Sequence, residues 1–139
     1  MAGIKCVVVT PEVTAFEKDV SFAVVPLFDG EFGIDKNHSP MIGRLGYGEL
    51  RITTEGNQIE HYYVDGGFVQ VADNTVTLLT SRVVPISELD GATAKDQLQT
   101  ALSQPALTSE LLQARDRNID QARAQVRLAA KAETSRSNS

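Results

Sequence analysis

Between Lys5 and Thr80 short β-branched or aromatic runs alternate with turn signals, and at Pro85 that pattern stops. Strand signals spaced by about 8–12 residues indicate an all-β sandwich or barrel. Connections this short hold no crossover helix, so antiparallel pairing is expected. The residues read as strands at Lys5–Thr10, closed by Pro11, at Glu12–Asp19, and at Val20–Val25, closed by Pro26. Leu50 and Ile52 then point one way while Glu49, Arg51 and Thr53 point the other, the period of a half-buried strand. Glu55-Gly56-Asn57 tolerates positive φ and predicts a hairpin to a return strand at Ile59–Val64. Asp65-Gly66-Gly67 predicts another turn, and Phe68–Val71 with Val76–Thr80 a further pair around Ala72-Asp73-Asn74-Thr75.

After Pro85 the period changes. Ser87-Glu88-Leu89-Asp90 reads as a helix start, with Ser87 as the cap. Ala94, Leu98, Ala101 and Leu102 follow at helical spacing, and Ser103-Gln104-Pro105 ends the helix. A second helix starts at Thr108-Ser109-Glu110, where Leu112, Ile119 and Val126 recur every seven residues with Ala122 and Ala129 between them. The tail Thr134–Ser139 is polar and is expected to fray. The expected fold class is β plus α: an antiparallel β-sandwich over residues 1–86, then an antiparallel two-helix hairpin over 87–139. The seam of that hairpin is rich in alanine, so it buries little area and is expected to be the less stable unit.

Charge and composition remove several functions. Residues 1–86 carry six Lys/Arg against eleven Asp/Glu, residues 87–104 one against three, and residues 105–139 six against four. An acidic body with a mildly basic tail lacks the concentrated positive footprint of a nucleic-acid binder. One cysteine, Cys6, allows neither an internal disulfide nor a cysteine-based zinc cluster. No apolar run reaches membrane-span length and the start does not read as a signal peptide, so a cytosolic or partner-bound peripheral location is expected.

Asp29–Leu50 holds five of the ten glycines and reads as a glycine-rich loop, too poor in side chains to build core. Loops on a rigid sheet carry contacts. Catalytic sets do not assemble: there is no Walker-type loop, His38 and His61 are distant, and Ser39 beside His38 is adjacency alone. Asp29, Glu31 and Asp35 fail the spacing of a calcium loop, so no metal is expected. Gly46-Tyr47-Gly48 reads as a bulge or tight bend. His38 reads either as a loop histidine bonded to backbone or as a polar anchor of an interface flanked by Pro40, Met41 and Ile42. Arg123, Arg127 and Lys131 recur every four residues, either as a solvated face paired with Asp120 or as a basic stripe for an acidic partner.

Taken together these residues resemble the ε subunit family of the rotary F-type ATP synthase. The family's G-E-[LF]-G-I and H-x-P appear as Gly30, Glu31, Phe32, Gly33, Ile34, His38 and Pro40, and its Gly-x-Leu-x-Ile strand as Gly48, Leu50 and Ile52. Its turn-and-strand and D-N-x-V-T motifs appear as Val64–Val71 and Asp73–Thr77, and the likeness spans about residues 4–132. The resemblance implies a ten-stranded sandwich and an αα-hairpin. It implies a non-catalytic rotor subunit, without cofactor, at the cytoplasmic face of the bacterial inner membrane, linking the γ subunit to the c-ring and so coupling proton flow to ATP synthesis. Asp29, Gly30, Glu31, Phe32 and Ile34 would face the c-ring. His38, Pro40, Met41, Ile42 and Arg44 would face γ. The hairpin would restrain ATP hydrolysis, with Arg123, Arg127 and Lys131 meeting an acidic region of the catalytic αβ subunits. Some members bind ATP through [IL]-D-x-x-R-A in the first helix; here Asp90 is present but Thr93 stands where the arginine would, so weak or absent nucleotide binding is expected.

Two other classes compete. One is a free-standing ligand-binding sandwich with a helical dimerisation arm, distinguished by a stable homodimer without ATPase association. The other is a hydrolase using His38 with Glu31 or Asp35, which would need an activity lost in His38→Ala.

Overall fold

The β-branched runs form seven strands: β1 (Ile4–Val9), β2 (Thr14–Leu27), β3 (Gly30–Ile34), β4 (Met41–Thr54), β5 (Ile59–Ala72), β6 (Thr75–Leu79) and β7 (Val83–Pro85). The computed structural model describes residues 3–137, with side chains to Thr134. Neighbours run β1-β6-β5-β4-β2, and β1 pairs back onto β2, so the pairings close on themselves, with β3 added on β2 and β7 on β5. Seven strands stand where about ten were implied, because β2, β4 and β5 are each 14 residues long. β2 pairs β1 with its first half and β3 and β4 with its second. β5 pairs β7 through Tyr62–Val64 and β6 through Phe68–Ala72. Each long strand thus does the work of two.

Three expected breaks are bends within strands. Of the two expected strands, Thr14–Asp19 and Val20–Val25 belong to the one strand β2, which runs through Pro26, while Glu12 and Val13 lie in the bend before it. Proline lacks the ladder donor, and Pro26 falls in the gap of the β2–β4 register between Val24 and Leu27. A second shift, between Val20 and Phe22, resets the alternation so that Val20 and Ala23 both face inward. The Asp29–Leu50 stretch is not mainly loop either: β3 and β4 occupy most of it, leaving Asp29 and 35–40 outside strands. Gly46-Tyr47-Gly48 bends β4, since β2 covers Val24 to Leu27 while β4 covers Arg51 back to Leu45. Asp65-Gly66-Gly67 does not end a strand but kinks β5. Gly67 sits at φ +105°, and an added Cβ would lie 1.8 Å from the Leu79 carbonyl oxygen, so only glycine fits.

All pairings are antiparallel except β1–β6, which is parallel. Short connections dictate antiparallel pairing only between consecutive strands, and β1 and β6 are far apart in sequence. Asp73 and Asn74, at φ +51° and +59°, make the two-residue turn from β5 to β6. Leu50, Ile52, Val64, Ile34, Val8, Val69 and Leu78 fill the sandwich core, all without exposure. Cys6 lies there too, its thiol pushed up to about 12 by burial, hence unreactive.

Contacts divide the chain between Pro85 and Ile86. The second unit comprises a 3₁₀ turn at Ile86–Glu88, α1 (Gly91–Ser103) and α2 (Ser109–Ser137). Ser87 lies in the 3₁₀ turn; the cap of α1 is Asp90, three residues later than expected. Thr108 caps α2 by accepting from the Leu111 N–H at 3.1 Å. Ala94, Ala101, Ile119, Ala122 and Ala129 are buried, but Leu102 and Leu112 are 45% and 43% exposed. Ala124, Leu128 and Ala132 are buried outside the seven-residue repeat. α2 continues past Thr134 to Ser137; residues 138 and 139 of the expected frayed tail lie outside the described residues.

Candidate functional site

Three features of the sandwich present chemistry outward. The first is the β2–β3 hairpin tip, Phe28-Asp29, where Leu27 pairs Gly30 across a two-residue turn. Asp29, Gly30 and Glu31 are exposed there, Phe32 is half-buried, and Ile34 is wholly buried, so its side chain anchors β3 rather than meeting a partner. Glu31 is not a free carboxylate. Arg51 donates to it through Nη1 at 2.6 Å and Nη2 at 3.3 Å, and the same Nη1 reaches Glu49 at 2.9 Å. Glu31 first, then Glu49, raises the affinity of Arg51 for its proton. Glu49, only 6% exposed, also accepts from His61 Nδ1 at 2.9 Å. This chain of contacts joins β3, β4 and β5 on the face that the strand alternation of β4 pointed away from the core. Charge pairing is its chemistry, with the two carboxylates of Glu31 and Glu49 sharing one guanidinium.

The second feature is the loop 35–40, at the other end of β3, roughly 13 Å from the tip at 3.3 Å per residue. His38 and Pro40 sit in it, with Asn37 at φ +64°. His38 packs its ring edge-on against Phe32, with centroids 5.3 Å apart. Its Nδ1 meets the Ser39 carbonyl at 2.7 Å, not the Ser39 hydroxyl, so the pair is no nucleophile and base. Asp35 uses one carboxylate oxygen on the Lys36 N–H. Among the described residues no three His, Cys, Asp or Glu gather as metal ligands. Asp29, Glu31 and Asp35 are spread over the tip, the strand and the loop.

The third feature lies on the outer side of β4, β5 and β6. Ile42 is 77% exposed, Phe68 57%, Leu79 50% and Phe28, at the hairpin tip, 67%. Register places Arg44 opposite Phe68 and Phe68 opposite Leu79. The Phe28 N–H donates to the Arg44 carbonyl at 3.0 Å, and the Arg44 guanidinium lies 5.9 Å from the Phe28 ring centroid. Exposed large apolar side chains gathered on one face mark a contact surface. Met41, one residue out of phase with Ile42, is half-buried against the core. The fold therefore joins Arg44 and Ile42 to the tip residues and sets His38 apart. Phe28, Phe68 and Leu79 were missed from sequence. A signal existed for two of them: with Val69, Val71 and Leu78 in the core, period two puts Phe68 and Leu79 outside.

On the helical unit, both Asp90 oxygens are engaged by Thr93: Oδ1 accepts from its N–H at 3.2 Å and Oδ2 from its hydroxyl at 2.9 Å. These bonds, the backbone one first, hold the Asp90 carboxyl below its ordinary range. Arg123, Arg127 and Lys131 are exposed on α2, and neither Arg123 nor Arg127 has an ion pair among the described residues. No described helix is long and apolar enough to cross a membrane.

Comparison with known proteins accounts for both units. The model of the ATP synthase, Delta/Epsilon chain, beta-sandwich domain matches residues 3–86. The ATP synthase epsilon chain of Rhodopirellula baltica is 47% identical over 125 residues, covering 90% of this chain and 97% of that protein. ATP synthase epsilon chain 2 of Ralstonia nicotianae is 37% identical over 122 residues, 88% of this chain and 83% of that protein. In fold, a chain of the Euglena gracilis mitochondrial ATP synthase, solved as OSCP/F1/c-ring, superposes with a TM-score of 0.79 at 20% identity, covering 89% of this chain and 79% of that one. With the sandwich matched by its family model and a relative aligned along nearly its whole length, the chain belongs to the ATP synthase epsilon chain family.

Proposed function

We propose that this chain is the non-catalytic central-stalk subunit that links the γ subunit to the c-ring and couples proton translocation to ATP synthesis. The observation that carries the reading is the exposed apolar face of Phe28, Ile42, Phe68 and Leu79 with Arg44 at its centre. A face of that kind suits a lasting protein contact, and we assign it, with His38, Pro40 and Met41, to γ. The adjoining hairpin tip, Asp29, Gly30, Glu31 and Phe32, is assigned to the c-ring, with Ile34 as its buried anchor. The pairing of Glu31 with Arg51 suits contact with the polar surface of a ring rather than with a single counter-charge. The chain is held peripherally at the cytoplasmic face of the inner membrane through these partners.

The helical hairpin restrains ATP hydrolysis, with Arg123, Arg127 and Lys131 meeting acidic residues of the catalytic αβ subunits. It does so without nucleotide of its own. Thr93 replaces the cation a phosphate would need and occupies both oxygens of Asp90.

The test is reconstitution of membranes stripped of this subunit, using the full chain or residues 1–86. Both should restore proton-coupled synthesis, and only the full chain should slow hydrolysis. Equal restraint by residues 1–86 would sink the role of the hairpin; failure of both to bind would sink the stalk assignment.

A further inference from the structure

The loop 35–40 is held rigidly enough to define a single imidazole atom for a partner. The Asn37 N–H donates to Asn74 Oδ1 at 2.6 Å, and Asn74 Nδ2 returns a bond to Asn37 Oδ1 at 3.3 Å. Asn74 is itself tied to β1, its carbonyl accepting from the Lys5 N–H at 2.9 Å. The His38 N–H donates to the Asp35 carbonyl at 3.2 Å, and Phe32 packs against the ring. Loop backbone and ring are therefore both fixed by contacts from two ends of the sheet.

The orientation of the ring follows from one distance. Nδ1 lies 2.7 Å from the Ser39 carbonyl oxygen. A ring flipped by half a turn would put a C–H there, and such carbons stay about 3.3–3.6 Å from a carbonyl oxygen. The carbonyl can only accept, so Nδ1 carries the hydrogen. In the neutral imidazole the other nitrogen then holds a lone pair. That nitrogen, Nε2, has no partner among the described residues.

We propose that His38 acts as a specificity-determining hydrogen-bond acceptor, its Nε2 receiving an N–H or O–H from the γ subunit. The inference rests on the assignment of this loop to γ and adds the sense of the bond. The facing group on γ is a donor such as a hydroxyl or an amide N–H. A carbonyl in its place would set lone pair against lone pair unless the ring took up a second proton, and so is disfavoured.

Two measurements on the full chain test this. A long-range proton–nitrogen spectrum at about pH 8.5, above the ordinary histidine range, should show His38 protonated on Nδ1; a ring protonated on Nε2 would overturn the inference. The second is affinity for γ. His38→Gln keeps an acceptor oxygen near the Nε2 position and should bind within about threefold of the wild type, whereas His38→Leu strands the donor and should lose about tenfold. Ile42→Asp, on the apolar face, reports on the assignment to γ itself. If it weakens binding while His38→Leu does not, the acceptor role falls alone. If Ile42→Asp and His38→Leu both bind as wild type, the assignment to γ falls and the acceptor role with it.

Discussion

The two units of this chain bury different kinds of side chain. The sandwich core is Val, Ile and Leu with one cysteine, Cys6, and a single alanine, Ala23, among its buried cluster. Among the described residues of the helical unit, Ala94, Ala101, Ala122, Ala124, Ala129 and Ala132 are buried beside only Ile86, Ile119 and Leu128. A fully buried Val, Leu or Ile contributes about 1.5–3 kcal/mol, while a single methylene-sized group contributes about 0.8 kcal/mol. Backbone ordering costs a similar amount per residue in both units. The difference leads us to expect that the sandwich is the more stable unit and that the helical one opens at lower free energy, through side-chain volume alone.

That contrast can be broken first at Gly67. Gly67→Ala forces a Cβ onto the Leu79 carbonyl and should abolish folding of the sandwich or cost more than about 4 kcal/mol. Urea unfolding followed through the strand signal measures it; a wild-type midpoint would mean the kink is not under the constraint argued above. Next, Ile52→Ala in the core should cost about 2–5 kcal/mol. Amide exchange sharpens the comparison without mutation: α1 and α2 should exchange well before β4 and β5, and equal protection would refute it.

A smaller effect is expected at the cap of α1. Asp90→Ala should lower the helical signal and leave the strand signal unchanged. Because the Asp90 carboxyl is held below its ordinary value of 3.8, its stabilising contribution is complete above that pH and is lost as the pH falls through the lowered folded value. Wild type and variant should therefore converge in acid; a difference that persists there would point to some role other than the charged cap. The smallest effect belongs to Lys18–Glu60, paired at 2.6 Å with both side chains about one-third exposed. Glu60→Gln should cost no more than about 1 kcal/mol after solvent screening. Since Lys18 lowers the Glu60 pKa, even that is lost as the pH drops through the carboxylate range. A larger loss in Glu60→Gln would mean that Lys18, also 3.2 Å from the Tyr62 hydroxyl, organises more than a surface pair.

The strand–helix division and the inward set of β4 were legible because period two and period 3.6 are written directly in Leu50, Ile52, Ala94 and Ala101. The continuity of β2, β4 and β5 was not. Pro26, Gly46, Gly48, Gly66 and Gly67 are residues that end strands and equally residues that bend them, and only the cross-strand partner distinguishes the two. Leu102 and Leu112 keep helical spacing yet stay exposed, because periodicity gives a face, not the neighbour that covers it. At the candidate site, His38 and Ile42 stood out by composition, and Arg44 only through the resemblance. The patch that Ile42 and Arg44 belong to needed Phe28 and Leu79, which only the β2–β3 tip and the β5–β6 register place beside Arg44, and it leaves His38 outside.

The unbroken passage of β4 and β5 through their glycine bends carries a mechanical meaning. A stack of separate sheets can slip sideways when its two faces are pulled in opposite directions, because dispersion forces alone resist shear. Here sliding would have to stretch covalent backbone and tear the register from Met41–Val71 to Thr53–Ile59 along two ribbons at once. A twist applied at one rim is delivered to the opposite rim with little angle lost on the way.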